Sequence, residues 1–248
     1  QLIWFDRSGK QSGVLGDKAL YTSFSISPDL KKVAVNVSDP RVGPPDLWIY
    51  EIARGLRTRF TFDAGADNWP VWSPDGARVV FSSVRKGNFD MYIKSYAGSA
   101  DEELFLQAEH DQLPESWSSD GRHVAYYSRG VPGTGNDIWI LPLSGDSKPI
   151  PFLQTEFLEQ DPQFSPDGHW IAYSSNESGR EEVYVAPFPG PGRKWQISND
   201  GAKYMDDNLT AQWSADWKKL YYVAPAGSVM EATVRDGQAF QPATPRQL

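Results

Sequence analysis

The sequence repeats one short segment five times, and this repetition constrains the fold more than any other feature. Residues 69–76 read Trp-Pro-Val-Trp-Ser-Pro-Asp-Gly, and each copy keeps a bulky apolar residue, a serine and, two positions later, an aspartate. Successive serines lie 46, 45, 47 and 49 residues apart. A period in the forties with β-rich segments is typical of a β-propeller, which has about four strands in each blade. The serines of the five copies are Ser27, Ser73, Ser118, Ser165 and Ser214.

Each repeat has the same internal order of strands and turns. A first strand leads into the Ser-x-Asp turn, where serine and aspartate side chains bond nearby backbone N–H groups. A second strand follows, and the third begins with an acidic residue and has an aromatic residue two positions later. We interpret the turn aspartates as structural rather than metal-binding, because all five occupy the same turn. They are Asp29, Asp75, Asp120, Asp167 and Asp216.

The repeats predict an all-β chain, a single β-propeller domain over 1–248 with four-stranded antiparallel blades. Residues 1–16 match the outer two strands of another blade, so the propeller is expected to have six blades, the sixth only partly present. A longer parent chain is then expected to supply the missing inner strands, since ring closure removes exposed edges. The alternative is a five-bladed ring with an additional hairpin. The predicted blades span 17–61, 62–107, 108–153, 154–198 and 199–248.

Composition excludes several classes of function. The 248 residues include no cysteine, which rules out disulfides, thiolate metal sites and cysteine nucleophiles. The formal net charge of −8 argues against a nucleic-acid partner, because phosphates require a basic surface. No apolar run is long enough to cross a bilayer, so any membrane attachment is expected through a helix outside this chain.

The Ser-Pro-Asp-Gly turn between first and second strands resembles that of the TolB-like, WD-repeat-like propeller family. Further segments resemble the C-terminal propellers of bacterial membrane-anchored serine/threonine kinases. They read Trp-Phe-Asp-Arg-Ser-Gly-Lys at 4–10, Thr-Arg-Phe-Thr-Phe-Asp at 58–63, Pro-Phe-Leu-Gln-Thr at 151–155 and Tyr-Val-Ala-Pro-Phe-Pro-Gly-Pro-Gly at 184–192. This resemblance implies a periplasmic or extracytoplasmic sensor or interaction domain, tethered through the parent chain.

The sequence contains no recognisable catalytic motif. It has no Gly-x-Ser-x-Gly elbow, no His-Glu-x-x-His zinc motif and no phosphate-binding loop followed by Lys-Ser/Thr. We therefore expect that this chain is not an enzyme, although a full-length parent could carry a kinase domain. No cofactor is expected.

The loops that enter the first strands differ between repeats and carry acidic residues. First strands line the channel of a propeller, so these loops are expected to meet at one channel mouth. The expected ligand is a protein, a peptide or a small solute, with Ca²⁺ as a further candidate because carboxylates concentrate negative potential there. The alternative is an acidic surface that only keeps the domain soluble. The candidate ligand-binding residues are Asp67, Trp69, His110, Asp111, Glu159, Asp161, Tyr204, Asp206 and Asp207.

These observations lead to one principal expectation and two alternatives. The chain is expected to be a non-catalytic, extracytoplasmic sensor or interaction propeller of a membrane-anchored serine/threonine kinase. The first alternative is the gating propeller of a prolyl-oligopeptidase-type serine peptidase. The second is a free-standing TolB-like periplasmic adaptor.

Overall fold

A computed structural model of the chain describes residues 1–6, 8–38, 43–98, 101–190, 192–202, 211–235 and 241–248, and its strands cover most of these ranges. The chain comprises two compact units, Gln1–Pro114 and Glu115–Leu248. In the first unit, β1 and β2 form a two-stranded sheet, β3 to β6 form one four-stranded sheet, and β7 to β10 form another. These strands are β1 (Leu2–Phe5), β2 (Gln11–Leu15), β3 (Phe24–Ile26), β4 (Lys32–Val37), β5 (Asp46–Glu51), β6 (Leu56–Arg59), β7 (Asp67–Trp72), β8 (Arg78–Ser83), β9 (Asp90–Ser95) and β10 (Glu103–Leu106).

Three more antiparallel sheets follow, again with the strands adjacent in chain order. The first runs from β11 to β14, the second from β15 to β18, and the third from β19 to β22, with β23 also paired to β21. Their strands are β11 (Asp111–Trp117), β12 (His123–Val131), β13 (Gly135–Pro142), β14 (Ile150–Leu153), β15 (Glu159–Phe164), β16 (Trp170–Ser175), β17 (Glu182–Pro187), β18 (Trp195–Gln196), β19 (Ala211–Trp213), β20 (Lys219–Val223), β21 (Val229–Arg235), β22 (Gln241–Pro242) and β23 (Arg246–Gln247).

The blade architecture predicted from the repeats is confirmed, but the expected number of blades is not. The described strands form five blades of at least four antiparallel strands rather than six. Residues 1–16, assigned to the outer two strands of an incomplete sixth blade, form the two-stranded sheet of β1 and β2. Repeat spacing defines each complete blade, whereas a two-strand segment alone does not determine how many blades a propeller has.

The five Ser-x-Asp turns share one hydrogen-bond pattern. In the second blade, Ser73 Oγ donates to Asp75 Oδ1 at 2.5 Å and accepts from Arg78 N at 2.9 Å. The corresponding serine and aspartate pairs in the other four blades make the same bond at 2.5 to 2.7 Å. The following position has positive φ, which glycine adopts readily, yet Leu30 and Trp217 occupy it with φ of 57° and 51°. The turn pattern therefore tolerates loss of its glycine.

The acidic residue at the start of each third strand has a structural role that its sequence position alone did not reveal. In four blades this carboxylate is buried and accepts a hydrogen bond from the fourth strand or from one of the two residues that follow it. It thereby fastens the outer edge of the blade, where a short strand contributes few ladder bonds of its own. The pairs are Asp46 with Arg59, Asp90 with Gln107, Asp137 with Gln154, and Glu182 with Ser198.

The core lies between the faces of adjacent sheets. In the first unit, Leu47 and Ile49 of β5 pack with Phe60 and with Val79 and Phe81 of β8. Side chains alternate between the two faces of a strand, so these residues share one face. Burial of a large apolar side chain contributes about 1.5–3 kcal/mol to the free energy of unfolding. This packing also sets the distance between the outer strands of the first two blades, which determines the space available at their rim.

Candidate functional site

The loop that enters the second blade, residues 60–66, lies against the turn between β8 and β9. Asp63 Oδ1 accepts from Gly65 N at 2.8 Å and lies 3.8 Å from Arg85 Nε. A Cβ on Gly65 would be 2.8 Å from the backbone nitrogen of Arg85, so only glycine permits this approach. The loop therefore holds its acidic residue, Asp63, beside a cation from the same blade.

Arg85 is the centre of an ion-pair network. Its Nη2 is 3.1 Å from Asp67 Oδ1 and 2.7 Å from Glu102 Oε2, and its Nε donates to Ser83 Oγ at 2.8 Å. The guanidinium carbon also lies 4.1 Å from the ring centroid of Tyr92. Because Asp67 is completely buried, Arg85 supplies the positive charge that makes this burial tolerable.

A second cation, Lys94, connects this network to two phenylalanines. Lys94 Nζ donates to the carbonyl oxygen of Phe60 at 2.8 Å and lies 3.3 Å from Glu102 Oε1. The same nitrogen is 5.3 Å from the ring centroid of Phe62, whose ring also lies 5.2 Å from Arg59 Cζ. Phe62 nevertheless remains 64 % exposed, so its contacts with two cations leave most of the ring open to a ligand.

These residues border an open cavity of about 760 Å³ at the outer rim of the first two blades, here called the outer cleft. Strands β5 and β6 form one wall, and β9 with Tyr96, Gly98, Asp101 and Glu102 forms the other. This volume lies in the range of small-molecule and peptide side-chain pockets. The aromatic residues of its lining are Phe60, Phe62 and Tyr96, and the charged residues are Glu51, Arg59, Asp63, Arg85, Lys94, Asp101 and Glu102.

Burial and pairing shift the ionisation of the network in identifiable directions. Desolvation raises the pKa of Asp67, and the hydrogen bonds and charge of its neighbours only partly oppose this. Burial disfavours the charged form of Arg85. The hydrogen bonds and negative charges of Glu102 and Asp67 outweigh this effect and raise the pKa of the guanidinium. The cation thus stays charged at all physiological pH values.

The structure brings several of the predicted site residues of the first unit together. Trp69 packs edge-on against Phe89 with ring centroids 4.9 Å apart, and the amide of Phe89 donates to Asp111 Oδ1 at 2.9 Å. The carbonyl oxygen of His110 accepts from Asn88 Nδ2 at 3.0 Å. These contacts are structural, and Asp67 lies in the Arg85 network instead. Ligand binding by these four residues stays a prediction.

In the second unit, Glu159 and Asp161 both belong to β15 and are almost completely buried. Thr155 Oγ1 and Thr155 N donate to Glu159, while Ser174 Oγ donates to Asp161 Oδ2 at 3.1 Å. Asp161 has a φ of 55° beside an irregularity in the pairing of β15, as Trp69 has a φ of 51° in β7. The other predicted residues, Tyr204, Asp206 and Asp207, lie outside the described residues.

Replacing Glu159 by glutamine is expected to change how stability depends on pH. Burial raises the pKa of Glu159, so the folded state holds this proton more tightly than the unfolded state. Its stabilising contribution is complete below the unfolded pKa, and it is lost as the pH rises through the folded pKa. The free energy of unfolding of Glu159→Gln, relative to the parent, should therefore rise as the pH increases above about 4.3, the usual pKa of a glutamate carboxyl. Each unit of pKa shift corresponds to about 1.4 kcal/mol.

Urea denaturation at a series of pH values measures this effect, and Asp29→Asn provides a control of opposite sign. The hydroxyl of Ser27 lowers the pKa of Asp29, so the free energy of unfolding of Asp29→Asn, relative to the parent, should fall as the pH rises from about 2 to 5. A pH-independent difference for Glu159→Gln would contradict the assignment.

Arg85, Lys94 and Glu102 were not predicted from the sequence as site residues. They do not belong to the repeated turn, and nothing in their spacing indicates that they meet beside Phe60 and Phe62. The one available signal was the unrepeated loop that enters the second blade, which was singled out for its acidic residues. Its partners Arg85, Lys94 and Glu102 are separate in the sequence, and only the folded blade brings them together.

The part of the chain that the structure describes has no cluster of side chains arranged to hold a metal ion and no membrane-spanning helix. Within those ranges, no group of three or more His, Asp or Glu side chains is arranged to hold a metal ion. Calcium at the loops therefore stays a prediction from sequence. Across the same residues, no helix has the length and apolar character needed to cross a bilayer.

Comparison with protein families gives a match over just more than half of the chain. A family model described as "TolB beta propeller domain" matches residues 7–137. Dipeptidyl-peptidase 5 of Porphyromonas gingivalis is 27 % identical over 247 residues, which cover 89 % of this chain and 33 % of that protein. The Tol-Pal system protein TolB of Francisella tularensis is 24 % identical over 185 residues, covering 74 % of this chain and 42 % of that one. The chain thus spans less than half the length of these curated relatives.

Solved structures agree on the fold. A putative TolB from Agrobacterium tumefaciens superimposes with a TM-score of 0.78 at 19 % identity, covering 98 % of this chain and 87 % of that chain. A prolyl endopeptidase superimposes with a TM-score of 0.57 at 15 % identity, covering 99 % of this chain and 40 % of that chain. At these identities the likeness establishes the β-propeller fold and not an activity.

Proposed function

Because the chain belongs to the TolB β-propeller domain family, we propose that it is a non-catalytic binding module that recognises a protein or peptide outside the cytoplasm. The outer cleft is the observation that carries this proposal. It combines a preformed cavity, an exposed aromatic ring and charged side chains fixed by their own ion pairs. Rigid aromatic and cationic groups of this kind are typical of protein-recognition surfaces.

The proposal assigns no reaction to this chain. Its sequence contains no cysteine and no Gly-x-Ser-x-Gly motif, and the carboxylate of Glu102 in the outer cleft is engaged with Arg85 and Lys94. The absence of cysteine is compatible with an oxidising compartment, in agreement with a location outside the cytoplasm. The similarity to TolB proteins favours one version of this proposal, in which the binding module is a free-standing TolB-like adaptor.

A second candidate function is the gating propeller of a serine peptidase. The alignment with a dipeptidyl-peptidase over 89 % of this chain favours it. The sensor propeller of a membrane-anchored serine/threonine kinase is a finer version of the first proposal, and it rests on the sequence resemblance alone. The full-length gene distinguishes all three architectures by the domains that it encodes.

Capture of a partner tests the proposed function directly. We expect the immobilised 248-residue chain to retain a specific protein from a cell-envelope extract of the source organism, and the purified partner to bind in solution. Phe62→Ala should weaken that binding about tenfold, which corresponds to 1.4 kcal/mol. Leu30→Ala is the matched control, because Leu30 is equally exposed and lies outside the outer cleft.

Two results would contradict the proposal. One is the absence of any partner that binds after purification. The other is hydrolysis of dipeptidyl p-nitroanilide substrates by the full-length protein, which would favour the peptidase propeller.

A further inference from the structure

The outer strand of the first blade has a free edge with regular geometry. All four residues of β6 pair with β5 without a register shift, and the amide of Phe60 continues the ladder by donating to Leu47 at 2.8 Å. Since hydrogen-bonded pairs alternate in an antiparallel ladder, Thr58 also faces β5. The peptide groups of Arg57 and Arg59 therefore point away from the sheet.

The other outer strands are less suited to pairing. Strand β10 has a register shift between Leu104 and Leu106, β14 is irregular and contains Pro151, and β18 consists of only two residues. Bulges, prolines and short length are the devices by which proteins block strand addition at sheet edges. Among the described four-strand blades, these devices are absent from β6, which has only the side chains of Arg57 and Arg59 along its edge.

The free edge of β6 borders the outer cleft. Thr58 and Ile49 are cross-strand neighbours, and their side chains line the cleft on the face directed toward the second blade. A strand added beside β6 would direct alternate side chains into this cavity, next to Phe60 and Phe62. Backbone pairing and a side-chain pocket thus occur at one place.

The charges of the outer cleft favour a basic segment. Arg85 and Lys94 are already paired with Glu102, and Arg59 is paired with Asp46 at 2.6 Å. Asp101 lines the same cavity, and within the described residues its carboxylate has no ion pair. The carboxylates of the lining outnumber the cations by four to three, so an entering lysine finds an unneutralised acid.

We propose that β6 accepts an extended peptide segment as an additional strand, with basic side chains at alternate positions directed into the outer cleft. This inference rests on the proposed function, since it specifies how that module would hold a partner. The intervening side chains lie on the opposite face, which carries Arg57, and are therefore neutral. Backbone hydrogen bonds supply the affinity, and the alternating charge supplies the specificity.

Titration of the ¹⁵N-labelled chain with the peptide acetyl-Lys-Thr-Lys-Thr-Lys-Thr-Lys-amide tests the proposal. Chemical-shift changes should concentrate on residues 56–60 and the outer cleft, and the amides of Arg57 and Arg59 should exchange more slowly. Arg57→Pro removes an outward N–H and should weaken binding about fivefold, the equivalent of one hydrogen bond. Arg57→Ala is the matched control, since it removes the same side chain but keeps the N–H, and it should change binding less than twofold.

A second reagent keeps the test decisive even where Arg57→Pro fails to fold. The same peptide with every backbone nitrogen methylated has no amide N–H to donate to β6, so it should not bind. Equal binding by that peptide, equal binding by the Glu-Thr counterpart, shift changes away from β6, or dimerisation of the chain through this edge would each overturn the proposal. A purified partner that binds Arg57→Pro as tightly as the parent would overturn this inference and leave the proposed function standing.

Discussion

Replacing Arg85 by methionine is expected to lower the free energy of unfolding by about 3–5 kcal/mol. The substitution keeps much of the side-chain volume but leaves Asp67, which is completely buried, without the cation that lies 3.1 Å from it. Glu102 also loses its 2.7 Å partner. Removal of one member of a buried ion pair is costly because the remaining charge is uncompensated. Urea denaturation followed by tryptophan fluorescence measures the change.

Arg54→Met provides the matched control. Arg54 pairs with Glu51 at 3.3 Å, but both side chains are largely exposed, so its loss should cost less than about 0.5 kcal/mol. The double substitution Arg85→Met with Asp67→Asn should recover part of the lost stability, because it removes the buried charge as well. Equal effects of Arg85→Met and Arg54→Met would show that Arg85 does not neutralise a buried acid.

Replacing Glu182 by alanine should lower the free energy of unfolding by about 3 kcal/mol. Its completely buried carboxylate accepts from Ser198 Oγ, from Gly201 N at 3.0 Å and from Arg180 Nε at 2.7 Å. Alanine would leave the buried hydroxyl of Ser198 and amide of Gly201 without this acceptor and open a small cavity. Thermal unfolding and amide exchange of residues 195–202 measure the loss.

A double-mutant cycle isolates the bond between the third strand and the end of the fourth. The coupling between Glu182→Ala and Ser198→Ala should be about 1–2 kcal/mol, because the two side chains are in direct contact. Additive effects of the two substitutions would contradict the view that this carboxylate fastens the outer edge of the blade.

The repeated segment predicted the strands well because its information is local. Ser73 and Asp75 are two residues apart and bond to each other and to the next few amides, whatever surrounds them. The same turn survives at Leu30 and Trp217 although glycine is missing there. The number of blades was not predictable in this way, since it depends on how complete blades meet and not on the turn within each one.

The predicted site residues show which features cannot be inferred from short sequence segments. Asp67 and Glu159 were expected at exposed loops because they are acidic and lie outside the repeated turn, yet both are buried. Arg85 lies 18 residues from Asp67 in the chain, and Thr155 lies four residues from Glu159, so each acid finds a donor through the fold of its own blade. Burial of an acid is decided by such partners, which composition does not reveal.

By itself, the sequence determined the blade as the repeating unit, the positions of its strands and the turn that joins the first two of them. These features depend on backbone preferences and side-chain bonds over a few residues. Only the tertiary structure decided that Arg85, Lys94 and Glu102 meet beside Phe62, and that β6 has a regular free edge above a cavity. The physical reason is that both depend on strand pairing and packing, which bring together residues that are distant in the chain.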